Sequence, residues 1–278
     1  MQIKQNIQIK NSKNDPILVD VFYKANRQAK AVVIFSHGFK GFKDWGHFNE
    51  MANYFAEKNF VFVKFNFSHN GITAADPSNF TDLEAFGNNN YLIELDDLKC
   101  TIDWVLQADF LSEEINSQLL YLIGHSRGGG ISILKAAEDS RVKKLVTWAS
   151  VSSFTGRHKQ RTIETWQKDG VVYATNSRTM QSMPMYYQFY QTIIDHKERL
   201  NINHAVKKLE IPFLIIHGTN DEAVPLHDAA EIMKSAKQGE LFIIDKANHT
   251  FGIKHPFNGN LSEDAEKVLD RTINFFTE

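Results

Sequence analysis

Little in this sequence favours disulfides, membranes or polyanions. A single cysteine, Cys100, stands among 278 residues, so no internal disulfide can form. It falls in a helical pattern and reads as a small packed residue, not a nucleophile. The opening residues MQIKQNIQIK hold no apolar run of the kind a secretion signal needs, and a reducing, cytoplasmic setting is the expectation. The longest apolar runs, such as Phe213-Leu214-Ile215-Ile216, fall far short of the roughly 20 residues that cross a bilayer, so no membrane span is expected. Charge of one sign is scarce as well: 31 Lys and Arg face 33 Asp and Glu, and the net −2 offers no grip on nucleic acid or anionic lipid. The histidines are scattered over separate segments with no tight Cys/His/Asp cluster and no H-E-x-x-H helix, so neither a metal nor another cofactor is expected. No repeat, low-complexity tract or linker divides the chain. With 42% hydrophobic and 23% charged residues it reads as one globular domain spanning 1–278.

What is present is an alternation. Apolar, β-branched or aromatic runs occur at 17–23, 31–35, 60–67, 119–123, 145–148, 213–216 and 241–244. Four of them (32–35, 119–123, 213–216 and 241–244) are apolar at every position, the pattern of parallel strands covered on both faces, and these are expected at the centre of a sheet. Helix-period segments at about 45–58, 89–107, 127–139, 226–236 and 262–276 separate the strands, which implies an α/β class with a mostly parallel sheet flanked by helices. Residues 3–9 and 17–23 follow each other across Asn14-Asp15-Pro16 without a helix, as an antiparallel edge hairpin would. The alternation stops after Trp148 and resumes at Ile211-Pro212-Phe213, so an inserted cap of about 151–203 is expected. It holds Met180, Met183 and Met185 together with Tyr173, Tyr186, Tyr187 and Tyr190. Such adaptable apolar surface either forms a small core or lines a pocket, and Met183 and Tyr187 are the expected substrate-facing residues.

The stretch YLIGHSRGGG, residues 121–130, sets Ser126 between a buried strand and a helix with glycines at 124 and 128. The spacing G-x-S-x-G lets strand and helix approach closely while the serine takes a strained turn, the form of a nucleophile elbow. The next residue, Arg127, opens the helix, and its backbone N–H is free to donate to a developing oxyanion. No Lys-Ser/Thr pair follows the glycines, as a phosphate-binding loop would require. A serine nucleophile needs a base, and the base needs a partner that holds its tautomer. Two polar groups follow later strands: His217-Gly218-Thr219-Asn220-Asp221-Glu222 after 213–216, and Asp245-Lys246-Ala247-Asn248-His249-Thr250 after 241–244. The carboxyl ends of parallel strands share one side of the sheet, so Ser126, Asp221 and His249 can meet. Glu222 or Asp245 could stand in for Asp221, and His255 for His249.

On these residues the chain resembles the α/β-hydrolase superfamily in its serine esterase and peptidase-like branch, especially the feruloyl-esterase and dienelactone-hydrolase type. The resemblance rests on Ser36-His37-Gly38-Phe39-Lys40-Gly41, the 124–128 elbow, Gly218-Thr219-Asn220-Asp221 and Asn248-His249-Thr250-Phe251, and it covers most of the chain. It implies Ser126, Asp221 and His249 as a triad, and Phe39, which follows the His-Gly pair, as an oxyanion donor beside Arg127. One departure is Ser68-His69-Asn70-Gly71 where many relatives carry Gly-His-Gly. His37 and His125 are expected to fix loops through hydrogen bonds. The implied activity is hydrolysis of a carboxylic ester of a small apolar or aromatic molecule through an acyl-enzyme. Alternatives are a serine peptidase of aminopeptidase or acyl-aminoacyl-peptidase type, a thioesterase, and a non-catalytic fold that binds a small molecule.

Overall fold

Runs that are apolar throughout fold here as strands, and the periodic segments between them as helices. The computed structural model describes residues 1–176 and 178–278. In chain order it comprises β1 (Gln2–Lys10), β2 (Pro16–Tyr23), β3 (Lys30–Ser36), α1 (Phe48–Glu57), β4 (Val61–Asn66), α2 (Leu83–Asn88), α3 (Tyr91–Val105), β5 (Ile115–His125), α4 (Arg127–Glu138) and β6 (Val142–Trp148). There follow α5 (Gln160–Asp169), β7 (Val171–Thr175), β8 (Ser182–Tyr186), α6 (Gln188–Asp195), α7 (Ile202–Lys208), β9 (Phe213–Gly218), α8 (Leu226–Ser235), β10 (Gly239–Ile244) and α9 (Glu263–Thr277).

Eight strands form one sheet in the order β1-β2-β4-β3-β5-β6-β9-β10. From β4 to β10 every pairing is parallel, and β1 and β2 add the antiparallel edge hairpin read from the sequence. On one face, Met51 and Phe55 of α1 and Leu269 and Phe276 of α9 pack on Phe35, Phe62, Ile123 and Leu214. On the other, Leu95 and Leu98 of α3, Ile131 and Leu134 of α4 and Ile232 of α8 cover Ile34, Val63, Leu122 and Ile215. This is the α/β-hydrolase architecture.

One strand departs from expectation. The run at 241–244 lies in β10, which is not central but the edge of the sheet, paired with β9 alone, and its Ile243 is 46% exposed. A short edge strand packed by one helix, here α8, can be as apolar as a central one, and a run of four residues does not separate the two cases.

The 151–203 segment carries structure of its own: α5, the antiparallel β7–β8 hairpin and α6. Its centre is Trp166, fully buried, whose Nε1 donates to the Met185 carbonyl at 2.7 Å. Two further helices escaped the periodicity, although each has a capping side chain. Asp82 accepts from Ala85 N–H ahead of α2, and Asn201 from His204 N–H ahead of α7.

Candidate active site

Ser126 occupies the turn between β5 and α4 with φ 57° and ψ −122°, a conformation sparsely populated by any residue with a side chain. The flanking glycines make that turn possible. A Cβ on Gly124 would sit 2.3 Å from the Gly128 carbonyl oxygen, and one on Gly128 would sit 2.3 Å from the Ser36 carbonyl oxygen. The elbow is therefore pressed against the end of β3 and the loop after it, where a Cβ on Gly38 would meet Ser126 Cβ at 2.9 Å. Phe39 N–H follows Gly38 directly, and Arg127 N–H heads α4, whose first amides have no partner inside the helix. Two buried ion pairs hold the same loop. Lys43 Nζ lies 2.8 Å and Lys64 Nζ 2.7 Å from Asp20 Oδ2, and both ammonium groups also contact Asp44.

Three side chains expected from the sequence come together beside this turn. His249 Nε2 is 3.0 Å from Ser126 Oγ, and its Nδ1 is 2.8 Å from Asp221 Oδ2. The other carboxylate oxygen, Oδ1, accepts from Ala223 N–H at 2.9 Å and Val224 N–H at 2.8 Å. His217, fully buried at the end of β9, donates Nε2–H to the Val224 carbonyl at 2.8 Å and lies 3.3 Å from Asp221 Oδ2. Burial acts to raise the Asp221 carboxyl, but the hydrogen bonds from His217 and His249 and the charge on His249 outweigh it and hold the group far below the ordinary carboxylate range. Asp221 is thus a permanent anion facing one edge of the His249 ring. The sequence pattern assigned His217 no role; its place four positions before the acid was the available signal.

The alternative residues lie elsewhere. Asp245 accepts from Thr219 Oγ1, Glu222 is exposed, and His255 Nδ1 accepts from Gly46 N–H at 3.0 Å. His37 donates from Nδ1 to the Gly38 carbonyl at 2.9 Å and accepts from Phe67 N–H at Nε2, and His125 donates from Nε2 to the His249 carbonyl at 2.9 Å, so each links its loop to a second segment. Burial, the main cause in both, pushes His37 down to about 4 and His125 down to about 3, with the neighbouring His249 also lowering His125. They remain neutral donors at neutral pH. Among the described residues, no group of three or more His, Cys, Asp and Glu side chains is arranged to hold a metal ion.

Ser126 and His249 stand at the junction of two cavities. One, of about 600 Å³, lies under the cap and is walled by Tyr91, Phe154, Val172, Met185 and Phe189. The second, of about 500 Å³, runs past Phe42, Trp45 and Phe80 and is bordered by Lys40, Arg178 and Lys254. Neither expected cap residue borders either cavity. Met183 is fully buried in the cap's core, and the Tyr187 ring packs against Trp166 and Tyr190. The methionine that reaches the site is Met185. The two lie two residues apart in one strand, and composition alone does not say which of them meets the cavity. The Arg127 guanidinium is not at the rim: it lies 2.8 Å from the buried Glu94 and within 4.6 Å of the Phe39 ring centroid.

The BD-FAE family model matches residues 19–235. Among solved structures, the esterase domain of a Rhodothermus marinus protein is similar over 99% of this chain and 98% of its own, at 19% identity and a TM-score of 0.66. Est1E from Butyrivibrio proteoclasticus with ferulic acid bound is similar over 98% of both chains, at 17% identity and a TM-score of 0.73. A dienelactone hydrolase from Anabaena variabilis is similar over 100% of this chain and 98% of its own, at 14% identity and a TM-score of 0.65. No curated protein matches the sequence. At these identities the structures speak for the fold.

Proposed function

The chain belongs to the BD-FAE family and is an α/β hydrolase of the esterase type, and from that premise we propose that it cleaves small carboxylic esters through an acyl-enzyme on Ser126. The observation that carries this reading is the continuous contact from Ser126 Oγ to His249 and on to Asp221, at 3.0 and 2.8 Å. In the proposed reaction His249 Nε2 takes the hydroxyl proton as Oγ bonds to the ester carbonyl carbon. The Phe39 and Arg127 N–H groups receive the negative charge that builds on the carbonyl oxygen. Asp221 orients the imidazole and stabilises its cation without taking the proton. His249 then protonates the departing alkoxide, and a water, deprotonated by the same nitrogen, releases the acid. The cavity under the cap suits an apolar or aromatic group, since Tyr91, Phe154, Val172 and Phe189 wall it. The ferulic acid bound to Est1E is consistent with such a group.

The test is labelling with a fluorophosphonate, followed by a panel of aryl and alkyl esters. Ser126 should carry the label, and small aromatic esters should be turned over. Label on a different serine, with Ser126 untouched, would overturn the assignment.

A further inference from the structure

The two cavities that meet at Ser126 differ in how their positive charges are neutralised. Under the cap each arginine has its own carboxylate, Arg127 with Glu94 and Arg157 with Asp228, while Lys40 stands between the two cavities and borders both. The second cavity is bordered by Lys40, Arg178 and Lys254, and among the described residues no carboxylate lies within 4.0 Å of their charged nitrogens. Their donors are also largely unused. Lys40 Nζ gives one hydrogen bond, to the Thr175 carbonyl at 2.9 Å, and Arg178 gives one from its guanidinium, to the Ser78 carbonyl at 3.2 Å. Lys40 is a non-glycine residue in the left-handed region, with φ 57°, and follows Phe39 in the loop against Ser126. The three cations come from three separate parts of the chain, the loop after β3, the β7–β8 turn and the loop before α9, and all three border a cavity that also contains Ser126 and His249.

Unpaired cations beside a partly enclosed cavity create a local positive potential that a bound anion would neutralise. We propose that the second cavity is an anion subsite, and that the preferred substrate is an ester with a carboxylate on one side of the scissile bond and an apolar or aryl group on the other. The inference rests on the esterase reading above and narrows its substrate class. The cavity under the cap, whose two arginines are paired and whose wall is largely apolar, takes the apolar part. The cationic cavity takes the carboxylate, which reaches Lys40, Arg178 and Lys254 from a carbonyl held at Ser126.

Three esters test this: ethyl cinnamate, the cinnamoyl ester of glycolate with its carboxylate on the alcohol side, and the ethyl ester of 4-carboxycinnamate with its carboxylate on the acyl side. At low ionic strength one of the two anionic esters should exceed ethyl cinnamate in kcat/KM by about tenfold or more, and that excess should shrink as salt is added. The double variant Arg178→Glu, Lys254→Glu should bring the ratio to one or below, mainly through KM. Both side chains are exposed, so the fold should tolerate the change; the pair Arg178→Gln, Lys254→Gln, with a smaller fall in the ratio, guards against a folding defect. Anionic esters turned over no faster than ethyl cinnamate, or a preference unaltered in both double variants, would overturn the subsite while leaving the esterase reading in place. Absence of turnover of all three esters together with absence of fluorophosphonate labelling would overturn both.

Discussion

The loops at the carboxyl edge of the sheet and the cap that faces them are held by different kinds of bond. The edge loops are fixed backbone to backbone: Ser126 N–H to the Trp148 carbonyl at 2.9 Å, Thr219 N–H to Ile244 at 3.1 Å, and Asn220 N–H to Ala247 at 3.0 Å. Apart from α7, across whose first turn it ends, the cap makes one such bond to the rest of the chain among the described residues, from Val151 N–H to the Ser126 carbonyl. Otherwise it is attached by side chains, such as Gln181 to the Phe80 carbonyl, Gln188 to the Asn89 carbonyl and Tyr186 to Glu84, and by apolar packing. Backbone bonds hold reacting atoms within the tolerance that bond making requires, whereas side-chain bonds can be remade as ligands change. On this comparison the edge loops are expected to govern rate and the cap to govern choice.

The largest effect expected is at the edge. Ser126→Ala should lower turnover by about 10⁶-fold while leaving the thermal midpoint close to that of the parent, and a loss of only tenfold in a steady-state assay would break the assignment. Within the cap, Met183→Ala should cost roughly 2–5 kcal/mol in urea unfolding, because it empties a fully buried site, yet leave ester preference unaltered. A changed acyl preference in that variant would return Met183 to the pocket.

Acid should act on the edge before the cap. Burial pushes His37 and His47 down to about 4 and His125 down to about 3, all three beside the sheet's carboxyl edge or the loop leading to α1. An unfolded imidazole titrates near ~6.5, so below that value the unfolded chain binds protons that the native one refuses. The stability these groups contribute is therefore complete above about pH 6.5 and is lost as the pH falls towards 4. The thermal midpoint should drop between pH 7 and pH 5, by less than the three rings alone would give, because burial also pushes the Asp97 carboxyl up to about 7 and its protonation in the native state acts the other way; a midpoint that rises over that interval would show that the rings do not dominate. The smallest effect separates choice from rate most cleanly: Met185→Ala should change the ratio of kcat/KM between a bulky and a small acyl group by about tenfold, the scale of a methylene or two in an apolar pocket. A ratio unchanged across a graded ester series would make the cap a roof without selectivity.

The same contrast decides what was legible in the sequence. Strands buried on both faces declare themselves by unbroken apolar runs, and the turn at Ser126 by glycines that nothing larger can replace, so most of the sheet and the motif-bearing loops could be placed from residue type, though not the edge position of β10. The cap's elements are short and half exposed; α5 and α6 are amphipathic, but helices of ten and eight residues in a polar stretch carry too few apolar positions to stand out beside the long strands and helices of the sheet. Met183 and Met185 illustrate the limit, since being core or cavity depends on what the rest of the chain puts opposite each. Lys40, Arg178 and Lys254 were silent for the same reason: they are ordinary surface residues until the fold gathers them.

The ion cluster behind the loop that carries Phe39 connects parts of the chain that the strand order keeps apart. Asp20, which accepts both Lys43 and Lys64, also receives the Asn6 amide at 2.8 Å, where β1 breaks register between Lys4 and Ile7. Asn66 at the end of β4 accepts the Lys43 amide at 2.7 Å. The hairpin, the inner strand and the loop that carries Phe39 are therefore joined in series: Asp20 links the edge of the sheet to Lys43, four residues from Phe39. The outermost strand thus becomes a buttress of the loop beside Ser126.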